Sequence, residues 1–190
     1  TECAPLISVV PFDEVNPASC GKLMPGMQIF IDKAKADDSF GEIVVKGDNV
    51  MLGYYENEEE TAAVLNNGWF RTGDYGYIDD KGFIYITGRK KNLIILSNGE
   101  NISPEELENK FVDDGIVKEI VVRGEKDTII AEIFPDEALA ATMGITDIPA
   151  ELTKIVDRVN STVNTDRQIH SFVIRETPFP RTSTGKIKRA

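Results

Sequence analysis

At 190 residues the chain has room for one large domain or two small ones. Its 41% apolar and 28% charged content is that of an ordinary globular protein, which excludes collagen-like, low-complexity and membrane-span compositions. A net charge of −11 argues against nucleic acid or an anionic membrane as a general partner, because both attract basic surfaces. A local basic site survives that argument, since Arg181, Lys186, Lys188 and Arg189 cluster near the end of the chain. Cys3 and Cys20 make no disulfide framework, and the single His170 leaves no zinc set, so two reduced thiols in a cytoplasmic protein are expected. There is no long apolar run and no signal-peptide pattern. The sequence opens on Thr1 in what reads as mid-motif, so a piece of a longer protein is expected.

Residues 1–26, rich in proline, read as loop, a short strand over 6–10, and loop. The runs 28–32 and 41–47 predict two strands, and the polar segment 33–39 between them suits a hairpin. Residues 57–65 predict a short helix whose acidic first turn complements the helix dipole. Two further stretches follow, 68–74 and 75–88. Within the second, aromatic and aliphatic strands flank the turn Asp79-Asp80-Lys81-Gly82.

The stretch from Gly88 to Glu106 then packs together a basic cluster, an apolar strand, a glycine turn and a helix start. Ser103 can cap, Pro104 suits the first helical position, and Glu106 completes a capping box, with Ile102 and Leu107 placed as a hydrophobic staple. A helix is therefore predicted over 103–113. Strands follow over 116–122 and 128–134, joined by a turn at 123–127. A second helix over 149–164 aligns Leu152, Ile155, Val156, Val159 and Val163 on one face, and a third strand covers 169–175. The order helix, strand, strand, helix, strand makes a small α+β unit with a three-stranded sheet and helices on one face.

Four clusters carry chemistry beyond scaffolding. In Arg71-Thr72-Gly73-Asp74, an Asp beyond a Gly at a strand end can accept two hydroxyl hydrogen bonds, although alone it serves as readily to cap its own turn. In Gly88-Arg89-Lys90-Lys91, three consecutive cations are ordinarily a solvated loop; the functional alternative makes Arg89 a bidentate holder of phosphate or ribose oxygens. Ser97-Asn98-Gly99-Glu100-Asn101 is at least a strand-to-helix turn. The last, Pro180-Arg181-Thr182-Ser183-Thr184-Gly185-Lys186-Ile187, ends in Gly-Lys but is no Walker loop. Pro180 stands where the first Gly is required, and Ile187 replaces the Ser or Thr.

Taken together these clusters resemble the adenylate-forming (AMP-binding) enzymes: acyl-CoA synthetases, firefly luciferases and peptide adenylation domains. Thr1-Glu2 looks like the end of that family's aromatic-Gly-x-Thr-Glu motif. The run from Gly41 to Gly47, continuing to Gly53-Tyr54-Tyr55, is similar to the next. Phe70-Arg71-Thr72-Gly73-Asp74 resembles the ribose-binding motif, Gly88-Arg89 opens the hinge motif, and the run from Pro180 to Ile187 matches the C-terminal lysine motif. The hinge sequence Arg89-Lys90-Lys91-Asn92-Leu93-Ile94 and the run from Asn98 to Glu108 are similar to bacterial long-chain fatty acyl-CoA synthetases rather than to amino-acid-activating domains.

The resemblance implies an AMP-forming acid–thiol ligase. A fatty acid and Mg-ATP give acyl-adenylate and pyrophosphate, then coenzyme A displaces AMP. It implies that Lys186 bridges the carboxylate and ATP oxygens and Asp74 holds both ribose hydroxyls. Arg89 contacts ribose or phosphate, Thr1 the phosphate, and Glu2 the Mg²⁺. Lys91 is the pivot about which a small domain swings, and Gly99 comes to line the pantetheine path, where a side chain would obstruct the thiol. The expected fold is α+β: a β-rich, distorted barrel-like end portion of the large domain over 1–89, then a small mobile domain over 90–190, hinged at 90–92. The family's phosphate loop and most of the acyl pocket precede Thr1-Glu2. The chain alone is accordingly expected to be inactive and to expose a surface that the missing N-terminal part, or a second copy in a homodimer, would cover. A carrier-protein thiol in place of coenzyme A, and a non-catalytic nucleotide- or carrier-binding module, are the alternatives. A cytoplasmic location is implied, with the parent enzyme at the membrane periphery.

Overall fold

The computed structural model describes residues 1–14, 16–36 and 38–189; Val15, Asp37 of the predicted 33–39 turn, and Ala190 lie outside the described residues. The chain divides into two compact units, Thr1–Lys91 and Asn92–Ala190.

The first unit begins with the short antiparallel pair β1 (Ser8–Val9) and β2 (Lys22–Leu23). Strand β3 (Gln28–Asp32) then pairs antiparallel with β4 (Gly41–Lys46), Gln28 opposite Lys46 and Asp32 opposite Glu42. Gly41 to Val45 are all buried, because β4 lies between β3 and a later strand and has neighbours on both edges. Helix α1 (Glu58–Val64) starts where Asn57 accepts the Glu60 amide at 3.1 Å. After it come β5 (Leu65–Asn66), β6 (Trp69–Ile78) and β7 (Ile84–Arg89). The sheet runs β3-β4-β6-β5, and β7 pairs the later half of β6. Ile43, Val45, Phe70 and Ile84 form its core with Cys3.

Two expectations are corrected here. Among the described residues the strands form no closed barrel: β3 pairs only β4 and leaves an open edge, while the start of β7 joins the β1–β2 pair through Ile84, bonded to Cys20 and Gly21. The stretches 68–74 and 75–88 do not divide at Asp74 either. Residues 69–78 are one ten-residue strand, and its glycines sit at irregularities: Gly73 has φ +69°, and the register slips between Tyr75 and Gly76. Such bulges bend a strand without ending it.

In the second unit β8 (Ile94–Ile95) and β9 (Asn101–Ile102) form a minimal ribbon about the Gly99 turn. Helix α2 (Pro104–Glu108) begins as its capping residues dictate, with Ser103 Oγ accepting the Glu106 amide at 3.4 Å. It ends early, passing into a 3-10 turn over Asn109–Phe111, where the predicted helix continues to residue 113. Asp113, Asp114 and Gly115 stand at what would be its C-terminal end, where negative charge opposes the dipole. Ile102 and Leu107 are both buried in the core, as a staple requires.

Strands β10 (Val117–Glu125) and β11 (Thr128–Pro135) run further than predicted, leaving only Lys126 and Asp127 in the turn, at φ +47° and +66°. Helices α3 (Glu137–Thr142) and α4 (Ile148–Asn160) follow, then β12 (Ile169–Ile174), parallel to β11. The sheet order is β10-β11-β12. Leu107, Ala140, Leu152, Val156 and Val159 from the three helices bury into one cluster with Val122, Ile129, Ala131 and Ile133 of the sheet. The apolar stripe predicted for α4 is thus its core face, and Val163 packs on the cluster from beyond the helix end. No helix among the described residues is long and apolar enough to cross a membrane.

Candidate functional site

The antiparallel pairing of β6 with β7 sets Asp74 opposite Arg89. Arg89 Nε reaches Asp74 Oδ1 at 2.7 Å. The approach to Asp74 is shaped by its neighbours: Thr72 Oγ1 accepts the Asp74 amide at 3.1 Å and donates to the Ile43 carbonyl at 2.8 Å. Gly73, at positive φ, supplies the bend between them.

This pair lines a cleft of about 560 Å³ in the first unit, together with Thr1, Glu2, Tyr54, Arg71, Thr72 and Lys90. Tyr54 donates its hydroxyl to Glu2 at 3.5 Å, and burial, then the charge of Glu2, push the Tyr54 phenol above its ordinary value. The expected residues Thr1, Glu2, Asp74 and Arg89 therefore border one cavity. Polar groups dominate its chemistry: three cations, Arg71, Arg89 and Lys90, line it with three carboxylates, Glu2, Glu42 and Asp74.

Two of those cations, Arg71 and Lys90, are held by a residue that the motifs do not single out. Glu42 lies in the buried strand β4 with only 4% of its side chain exposed. One of its carboxylate oxygens, Oε2, accepts both Arg71 Nη1 at 2.5 Å and Lys90 Nζ at 2.8 Å. Arg71 Nη2 also reaches Asp32 at 2.6 Å. Bonds to Asp32 and then Glu42 raise the Arg71 pKa further and keep it charged. Lys90, unassigned in the sequence, is thus an anchored cation immediately after β7. The signal was there to find: an acid directly after Gly41 in an otherwise apolar strand needs a buried partner.

Lys91 is exposed in the 3-10 turn Lys90–Asn92 and is the last residue of the first unit. The remaining two candidates belong to the second unit. Gly99, at φ +80°, closes the β8–β9 turn by donating its amide to the Leu96 carbonyl at 2.9 Å. Asp127 holds that turn through the Ser97 amide at 2.6 Å and hydroxyl at 2.5 Å. Lys186 is exposed on a small hairpin, where its amide donates to Thr182 Oγ1 at 3.1 Å and its carbonyl accepts the Thr182 amide at 2.8 Å.

Residues 91–190 match the family model of the AMP-binding enzyme C-terminal domain. The chain belongs to the AMP-binding enzyme family. This AMP-binding enzyme chain is 32% identical to a long-chain-fatty-acid–CoA ligase of Mycobacterium tuberculosis over 205 aligned residues, covering 96% of the chain and 33% of that ligase. It is 42% identical to a 2-succinylbenzoate–CoA ligase of Bacillus velezensis over 129 residues, covering 66% of the chain and 26% of the ligase. Among solved structures it is similar to O-succinylbenzoate coenzyme A synthetase from Bacillus subtilis. The complex with AMP has a TM-score of 0.79 at 29% identity, covering 98% of this chain and 38% of that one. The complex with ATP and magnesium ion has a TM-score of 0.73 at 31% identity, covering 90% and 34%. This AMP-binding enzyme chain spans about a quarter to a third of the length of the Mycobacterium tuberculosis and Bacillus velezensis ligases.

Proposed function

We propose that the chain is the C-terminal part of an AMP-forming acyl-CoA synthetase, which activates a carboxylate as its adenylate and passes the acyl group to coenzyme A. The observation that carries this reading is the Asp74–Arg89 pair at the wall of a polar, cation-faced cleft in a chain of the AMP-binding family. A carboxylate so placed accepts hydrogen bonds from two vicinal hydroxyls, as a ribose presents, while Arg89 fixes its orientation. Arg71, Arg89 and Lys90 line the cavity that a nucleotide phosphate would enter, each held by a carboxylate, so they would offer preorganised donors rather than net charge. Among the described residues no group of three or more potential metal ligands gathers. That suits a magnesium ion held mostly by substrate phosphates and one carboxylate, which Glu2 supplies at the cleft. The ion would neutralise phosphate charge.

In this reading Lys186 supplies the mobile cation of the adenylation step, Lys91 is the pivot, and Gly99 leaves a thiol path unobstructed. A long-chain fatty acid is the proposed carboxylate, supported by the hinge sequence and by a matching ligase of that name. The exposed Phe12, Leu52 and Tyr55 of the first unit are side chains that the rest of the large domain would cover. The test is product analysis with the full-length enzyme, ATP, Mg²⁺, coenzyme A and either palmitate or 2-succinylbenzoate. AMP and pyrophosphate in step with palmitoyl-CoA are expected. ADP and orthophosphate would overturn the reaction class, and turnover of the aryl acid alone would overturn the fatty acid.

A further inference from the structure

The hairpin that carries Lys186 has little apolar packing to hold it. Its tip, Thr182-Ser183-Thr184-Gly185, buries no apolar side chain, and Ile187 is only half-buried. An isolated two-stranded hairpin of this kind is marginal in water. Its own bonds are local to the turn: Arg181 and Ile187 form a β-bridge, Thr182 and Lys186 exchange main-chain and hydroxyl bonds, the Gly185 amide donates to the Thr182 carbonyl at 2.9 Å, and the Lys188 amide donates to the Pro180 carbonyl at 2.8 Å. These shape the hairpin but do not attach it to the rest of the unit.

Both feet of this hairpin are clamped by arginines onto poorly exposed glutamates. On the entering side Arg181 Nη2 reaches Glu119 Oε1 at 2.5 Å, while its Nη1 donates to the Gly185 carbonyl at 2.7 Å. One guanidinium therefore ties the body of the unit to the residue before Lys186. Glu119 Oε2 accepts the Phe179 amide at 2.8 Å, so that carboxylate holds the strand below the hairpin as well. Glu119 is 9% exposed and sits where β10 slips register. On the leaving side Arg189 makes a two-pronged contact with Glu108, at 2.8 Å and 2.5 Å, and Glu108 also accepts the Val122 amide at 2.7 Å. The Glu108 side chain is 13% exposed. Paired forks of this type fix direction as well as distance.

We infer that Arg181 and Arg189 are positioning residues: together they hold the hairpin so that Lys186 is presented in one place. The inference rests on the role proposed above for Lys186. Lysine ends a flexible four-carbon stem and brings no directional fork of its own, so backbone placement must supply the geometry. A displaced cation loses most of the benefit of preorganisation, and a misplacement near 1 Å can cost about a hundredfold in rate. Adenylation should therefore depend on both clamps, each arginine acting through the placement of Lys186.

The experiment has two arms. In the 190-residue chain, ¹⁵N relaxation is measured for wild type, Arg189→Ala, Arg189→Lys, Arg181→Ala and Glu108→Gln. Amides of 182–187 are expected to fall from order parameters near 0.85 to below about 0.6 in the alanine variants, while β11 amides stay rigid. Arg189→Lys keeps the charge without the fork and is expected in between, which keeps the test decisive if the alanine variant unfolds. In the full-length enzyme, Arg189→Ala and Arg189→Lys are expected to slow adenylation, by up to about a hundredfold, and to leave thioester formation from supplied acyl-adenylate unchanged. A rigid hairpin in every variant overturns the clamp. Equal loss of both half-reactions, or loss of neither, overturns the positioning role. Lys186→Ala, run alongside, separates the two layers: undiminished adenylation there refutes the role of Lys186 itself and leaves the relaxation result standing.

Discussion

Replacing Glu42 by Gln should destabilise the first unit by about 2 kcal/mol, and the size follows from what the side chain touches. Gln keeps the shape and one carbonyl acceptor but removes the charge that Arg71 and Lys90 share. Hydrogen bonds to a charged group contribute about 1.5–3 kcal/mol each when shielded. Here the cations are 41% and 52% exposed, and water screens them, so roughly 1 kcal/mol apiece is the better figure. The single tryptophan, Trp69, sits on β6 with its ring edge-on to Phe30 at 4.9 Å, so its fluorescence reports this unit. With a urea slope near 1 kcal/mol/M, the midpoint should fall by about 2 M. A double-mutant cycle with Lys90→Met should return a coupling of roughly 1 kcal/mol. An unmoved midpoint, or a cycle with zero coupling, would show that Glu42 does not hold these cations.

Two glycines of the same strand should separate space from backbone angle. A Cβ on Gly76 would lie 2.1 Å from the Tyr85 carbonyl oxygen and 2.9 Å from Ile43 Cδ1, so Gly76→Ala should cost about 3 kcal/mol. At Gly73 a Cβ meets nothing within 4 Å, but φ is +69°, so Gly73→Ala should cost only about 1 kcal/mol. The Trp69 transition measures both, and the reverse ranking would contradict the bulge geometry. Acid should release the two clamps of the Lys186 hairpin in a defined order. Burial raises the Glu108 pKa, against the opposing pull of Arg189 and the Val122 amide and with Glu105 nearby. Burial also raises Glu119, but the Phe179 amide, Arg181 and Lys118 outweigh it and leave the pKa depressed. The stability contributed by Glu119 is present above the ordinary Glu value of about 4.3 and is lost as pH falls through its lower folded pKa. Glu108 has the opposite sign, since its folded form binds protons more readily, and it is neutralised first on acidification. An NMR titration should show the Arg189 guanidinium changing at higher pH than that of Arg181; simultaneous change or the reverse order would refute this.

Much of the fold was legible because local patterning carried it. The β-branched and aromatic runs in 28–32 and 41–46, the Asp79–Gly82 turn, the Ser103-Pro104 helix start and the one-sided stripe of α4 each depend on residues close in sequence. Glycine misled in β6: Gly73 and Gly76 look like punctuation, yet neighbouring strands carry the chain through as bulges. The two-residue turn at Lys126 and Asp127 was hidden for the opposite reason, since both residues take positive φ without being glycine or asparagine. Helix α3, absent from the predicted elements, does carry a local signal: Asp136 caps the Leu139 amide at 3.0 Å before a run of helix formers. At the candidate site the motifs named Asp74 and Arg89, but their pairing is a matter of strand register. Local sequence shows that Glu42 needs a partner, but its bond to Lys90 and the Arg189–Glu108 fork join residues too far apart for any local pattern to name.

The most direct test of the account is Lys186→Ala in the full-length enzyme, with the two half-reactions measured separately. Pyrophosphate release from ATP and carboxylate should collapse, while thioester formation from supplied acyl-adenylate and coenzyme A should proceed at the wild-type rate. Adenylation at the wild-type rate, or equal loss of both steps, would contradict it.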